Sequence, residues 1–299
     1  MKVFIDTNIL YYYFDLETNH DTFDAKTIDE IVKKGHQIYI SEITIIEFLV
    51  KYRTEKDTII KILKEIQDKN IIIDYSFNLL NDNHIKNIID DNDFDNIITL
   101  IFNKKIEQEA DFAKFVFGMI FLVVLEYYYS KYVKNKNSEI QHIYQSVIIA
   151  NDKYVTDFFK KKLEEVYNSN DKDIFKNSFE NILGVMLITA IIMGKIANGE
   201  NIIDTFFKKI NNNNSVSLFS FLKEEEIDDF ITMLKKILND EKEKGRLKDI
   251  LDLEYIIYKI KKILYEKTKL DKNDIFDCYL FHLFIKKKIH FCLHVIKKY

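Results

Sequence analysis

The chain of 299 residues has no proline, no tryptophan, six glycines and two cysteines. A sandwich or barrel of many short strands needs Gly- and Pro-rich turns, so that architecture is excluded for the bulk of the chain, which must be helical. Cys278 and Cys292 are too few for a disulfide framework in a protein of this size, and the opening MKVFIDTNIL lacks the basic region and apolar core of a signal peptide. A reducing, cytoplasmic setting is therefore expected. The longest uncharged apolar runs, residues 115–125 and 182–194, fall short of the roughly 18 to 20 residues that cross a bilayer, so no membrane association is expected. Arginine is also scarce: Arg53 and Arg246 are the only two among 44 basic residues. An Arg-rich nucleic-acid tail is excluded, and any such contact must come from lysine patches.

What remains is 47% hydrophobic and 31% charged, with a net charge of −4, 18 tyrosines and 24 phenylalanines, the balance of a globular protein of one large domain or two ordinary ones. The abundance of Ile, Asn, Lys and Tyr matches an AT-rich coding sequence, so single lysines and asparagines carry little functional information.

The first 75 residues alternate strand and helix patterns. Residues 2–5 form an apolar run that opens on Asp6, helices are expected at 8–15 and 24–34, and Gly35 closes the second as its C-cap. Strands are expected at 37–40 and 70–74. Between them Ser41 stands at the N-cap of a helix running to about residue 53, and a further helix covers 57–69. Such alternation argues for a parallel sheet. From about residue 76 to 266 the periodicity is helical throughout, with Ile227, Phe230, Ile231, Leu234, Ile237 and Leu238 as one example. A helix at 271–287 and a strand at 289–295 then return to the first texture. The expected fold class is α/β, a parallel-sheet domain made of residues 1–75 and 266–299 and interrupted by an all-α insertion, 76–265.

Four carboxylates stand where this plan concentrates chemistry. Asp6 follows the first strand, and the C-terminal edge of a parallel sheet is where ligands collect. Glu47 lies in the second turn of the helix that Ser41 caps, and helical side chains lean back toward the N-terminus, hence toward that edge. Asp274 and Asp277 are three apart, so they share a helix face, with Asn273 as a candidate cap. Carboxylates gathered together repel unless a cation offsets their charge, and Mg²⁺ or Mn²⁺ is the hard ion that takes oxygen ligands and activates water for attack on a phosphodiester.

The segments VFIDTNIL at 3–10, ISEITIIEFL at 40–49 and NDIFDCYLF at 273–281 together resemble a PIN-domain nuclease, in the family's order and structural contexts. The resemblance implies a parallel sheet flanked by helices and Mg²⁺- or Mn²⁺-dependent cleavage of single-stranded or structured RNA, leaving 5′-phosphate and 3′-hydroxyl ends. It implies that Asp6, Glu47 and Asp277 hold the metal, that Asp274 is an extra or alternative ligand, and that Thr7, Asn8 and Ser41 support them, Asn8 by orienting Asp6. Two departures are visible, the first being the helical insertion between the third strand and the late helix. In the second, family members continue from the last strand into a Thr-x-Asp segment, whereas the matching stretch here reads CLHVIKKY. This supports a second expectation, a catalytically inactive PIN-like protein that binds RNA or a partner protein.

Other signals are weaker. Cys278 with His282, and His290, Cys292 and His294, match no zinc spacing, and the phosphate-loop, dinucleotide and serine-hydrolase motifs are all missing. Lysines cluster at 160–162, 259–269 and 286–298; Lys286, Lys287 and Lys288 are the candidate RNA contacts, flanking the acidic segment in sequence. The Tyr11–Tyr12–Tyr13 triplet reads as core packing, with Tyr11 or Tyr12 near Asp6 as the exception. The helical insertion is the candidate surface for a partner protein, and homo-oligomerisation is left open.

Overall fold

A computed structural model describes residues 2–17, 26–132, 138–169, 171, 173–197, 224–243, 252–266, 270–286 and 292–293. The chain divides into two compact units, one of Met1–Lys105 with Tyr279–Tyr299 and one of Ile106–Cys278.

The first unit is built on a parallel sheet. β1 (Lys2–Ile5) lies between β2 (Gln37–Ser41) and β4 (Cys292–Leu293), and β3 (Ile72–Asp74) flanks β2, giving the order β3-β2-β1-β4 with every pairing parallel. The expected α/β class with a parallel sheet and a large helical segment is what the structure has. Val3, Phe4 and Ile5 are buried, as the middle of a sheet covered on both faces requires. Helices α1 (Thr7–Tyr13) and α2 (Lys26–Lys33) connect β1 to β2; α3 (Glu42–Lys51) and α4 (Lys56–Asp68) connect β2 to β3. α5 (Asp82–Ile89) follows and packs against α4 through its buried Ile85 and Ile88 face.

Four of these helices end in the same way. The residue two past the helix end adopts a left-handed backbone, its N–H and that of its successor turning back onto the last carbonyls: Asp15 (φ 53°), Gly35 (φ 79°), Asn70 (φ 53°) and Asp91 (φ 57°). After α4, Asn70 N–H bonds Gln67 O at 2.9 Å and Ile71 N–H bonds Ile66 O at 3.0 Å. Residues 70 and 71 are thereby consumed in stopping the helix, so β3 begins at Ile72 and not at 70 as expected.

α6 (Phe94–Tyr132) begins in the first unit. The second unit contains the rest of α6, α7 (Ser138–Ser169), α8 (Asp173–Ala197), α9 (Glu224–Glu243), α10 (Leu253–Tyr265) and the first residues of α11 (Asp274–Lys286). Its apolar faces are those the periodicity marks: Ile227, Phe230, Ile231, Leu234 and Leu238 of α9 are buried, Phe159 stacks on Phe179 at 5.7 Å, and Phe175 lies 5.8 Å from Phe159. Among the described residues no helix is long and apolar enough to cross a membrane.

Candidate functional site

Asp6 leaves the end of β1 with an extended backbone (φ −86°, ψ 178°) and caps α1, its Oδ1 accepting the Ile9 N–H at 2.9 Å. One strand over, Ser41 does the same for α3, its Oγ accepting the Ile43 N–H at 3.2 Å. Because Ile5 pairs with Ile40 in parallel register, the two caps stand at the same sheet edge. Glu47, one turn and a half into α3, reaches back to that edge: Thr7 Oγ1 donates to its Oε2. Glu47 is thus bonded to the residue that follows Asp6 in the chain. Asn8 is half-buried in the first turn of α1.

The wall of this edge is aromatic. Tyr11, one turn beyond Thr7, is buried, and Tyr52 meets it edge-on at 5.8 Å. Burial, reinforced by the Glu47 carboxylate, raises the Tyr11 phenol far above its ordinary pKa, so it stays neutral. Tyr11 and Tyr12 are therefore core residues with little ring surface for base stacking. Lys51, one turn after Glu47, lies 4.1 Å over the Tyr11 ring and pairs with Glu17.

A fully buried acid sits five residues before Glu47 in sequence. Glu42 opens α3 with no exposed surface and accepts three backbone N–H bonds, from Phe77, Leu79 (2.7 Å) and Leu80 (2.8 Å). Burial raises its pKa, the N–H bonds opposing. It ties the segment after β3 to the first turn of α3, and Tyr279 covers the Phe77 ring at 5.2 Å. The sequence reading missed Glu42. The available signal was an acid at the first helical position directly after a capping serine, where the helix dipole and free N–H groups favour negative charge.

Asp274 and Asp277 fall in the second unit. Asp274 is 1% exposed, with Oδ1 paired to the Lys259 ammonium and Oδ2 accepting the Asp271 N–H at 2.7 Å. The Asp271 carboxylate in turn accepts the Asn273 N–H at 3.2 Å and its carbonyl accepts the Asp274 N–H at 3.2 Å, so the turn before α11 closes on itself while the Asn273 carbonyl accepts from Phe276 and Asp277. Asp277 is exposed, and the Tyr255 hydroxyl reaches its Oδ2 at 3.4 Å. The side chain of Lys286, together with Lys287, Lys288, His290 and His294, lies outside the described residues.

Among the described residues no group of three or more His, Cys, Asp or Glu side chains is gathered closely enough to hold a metal. Asp6 and Glu47, linked to this edge by the Ile9 and Thr7 bonds, offer oxygen alone. That donor chemistry fits a hard divalent cation, which binds through one or two carboxylates and keeps several waters. Residues 3–101 match the family model of the PIN domain, a nuclease-type fold. No curated protein and no solved structure matches the chain.

Proposed function

We propose, from the match of residues 3–101 to the PIN-domain model, that the chain is a metal-dependent endoribonuclease acting on single-stranded or structured RNA. The observation that carries this reading is the hydrogen bond from Thr7, the residue after Asp6, to Glu47 at the C-terminal edge of the sheet.

The bonds each residue makes support a task for it in this reading. Asp6 would ligate Mg²⁺ or Mn²⁺ from the end of β1, the Ile9 N–H holding one of its oxygens in place. Glu47 would be the second ligand, oriented by the Thr7 hydroxyl, and Ser41 would fix where α3 starts and hence where Glu47 emerges. When bound, the ion supplies a water of lowered pKa and offsets negative charge on the phosphodiester. The neutral Tyr11 phenol, buried near Glu47, adds no charge of its own to this edge.

The test is cleavage of a labelled single-stranded RNA across a Mg²⁺ and Mn²⁺ titration. Asp6→Asn is expected to lower the rate at least about 100-fold, and Thr7→Val about 10-fold, the range for losing a ligand or its support. Cleavage that is independent of metal, or unchanged in Asp6→Asn, overturns the assignment. The second reading, a silent PIN-like RNA-binding protein, is favoured by the lack of a three-acid group among the described residues; it predicts RNA binding with no metal-stimulated cleavage.

A further inference from the structure

α3 is buried on every side but one. Of its ten residues, Glu42 to Ile46 and Phe48 to Val50 are buried, leaving Glu47 and Lys51 as the two with access to solvent. An acid followed four residues later by a lysine ordinarily forms an ion pair along the helix surface. Here that pair is not made. Glu47 is held by Thr7, while the Lys51 ammonium turns to Glu17 and rests in the corner between two rings, 4.1 Å from Tyr11 and 5.6 Å from Tyr52. The Tyr52 hydroxyl donates to Leu16 O at 3.3 Å, which keeps the Glu17 segment beside the lysine.

We propose that Lys51 is a phosphate-binding residue that grips the RNA backbone beside the Asp6–Glu47 centre, and that Glu17 is the carboxylate the phosphodiester replaces. The proposal rests on the nuclease reading above. One helical turn, about 6 Å along α3, separates Glu47 from Lys51, so the strip offers a cation-binding acid and an anion-binding base in sequence. An unpaired Lys51 would otherwise fold onto Glu47 and compete for its carboxylate; the aromatic corner and Glu17 hold it away. With side-chain exposures of 42% for Lys51 and 23% for Glu17, their ion pair is open to water and weak enough for an incoming phosphate to displace. A lysine serves such a role as a compact point charge.

The experiment is fluorescence anisotropy of a labelled oligouridylate on the full chain, without divalent metal, over a series of salt concentrations. Lys51→Met keeps the apolar stem against Tyr11 but removes the charge; it is expected to weaken binding about 5- to 10-fold and to reduce the salt slope by about 0.7, the share of one phosphate contact on a single strand. Lys51→Arg is expected to restore both, and Glu17→Gln to tighten binding about threefold by removing the competitor. A slope unaltered in Lys51→Met, or binding unaltered in Glu17→Gln, overturns the proposal while metal-dependent cleavage lost in Asp6→Asn leaves the nuclease reading standing. Wild-type protein that binds no RNA overturns both.

Discussion

Each of the two units buries one carboxylate at the first position of a helix and carries a more accessible one a turn or so later: Glu42 and Glu47 on α3, Asp274 and Asp277 on α11. The buried members are satisfied by different means. Glu42 takes three neutral backbone N–H groups, so its charge is spread over dipoles. Asp274 takes one N–H and a lysine, so its charge is matched by another. Burial pushes the pKa of both upward against these partners. The contrast separates two ways of keeping an acid out of water, and it shows that an acid in a metal-site pattern can be structural. Asp274, a candidate ligand by sequence, already has both oxygens engaged.

Removing the matching charge is the severest way to break this contrast. Lys259→Met leaves the Asp274 carboxylate buried without its counter-ion and is expected to cost about 3 to 5 kcal/mol in urea unfolding. Adding Asp274→Asn should recover part of that loss, because the stranded charge is gone. Glu42→Ala is expected to cost about 3 kcal/mol, since three donors lose one acceptor and water can reach some of them. Hydrogen exchange should then accelerate at Phe77, Leu79 and Leu80 before it does elsewhere in the first unit.

The smallest effect is on pH dependence. The folded chain holds the Glu42 proton more tightly than the unfolded chain, where it titrates near its ordinary value of 4.5. Unfolding therefore releases a proton in this window, and stability falls as pH rises from that value through the raised one. This is the reverse of the usual carboxylate contribution. Comparing urea midpoints of wild type and Glu42→Gln between pH 4 and about 7 checks the sign: the penalty of the substitution should shrink as pH rises, and a penalty that grows contradicts it.

Much of the sheet edge was legible because its signals are local. Asp6 and Ser41 are capping residues directly after apolar runs, and the lean of helical side chains predicts where Glu47 points. Gly35 announced the end of α2. Asn70 makes the same turn after α4 and went unread, since asparagine is common in this chain and left-handed backbone is associated with glycine. Periodicity identified the long helices and their buried faces, but it says nothing about which core a face joins, so residues 76–105 read as one run with the helices beyond them. Lys51 was hidden for a related reason. Its meaning lies in two matched spacings, Thr7 with Tyr11 and Glu47 with Lys51, which become one site when α1 and α3 lie together.

The left-handed helix endings also bear on how this chain can change over evolutionary time. Glycine codons begin with two guanines, whereas asparagine and aspartate codons need none beyond a single one. A coding sequence shedding G and C can therefore trade a terminal glycine for Asn or Asp, because both residues tolerate that backbone better than other side chains do. At Asp15, Asn70 and Asp91 the backbone makes the same turn as at Gly35, in a chain with six glycines. One backbone shape is thus written with three different residues, Gly, Asn and Asp.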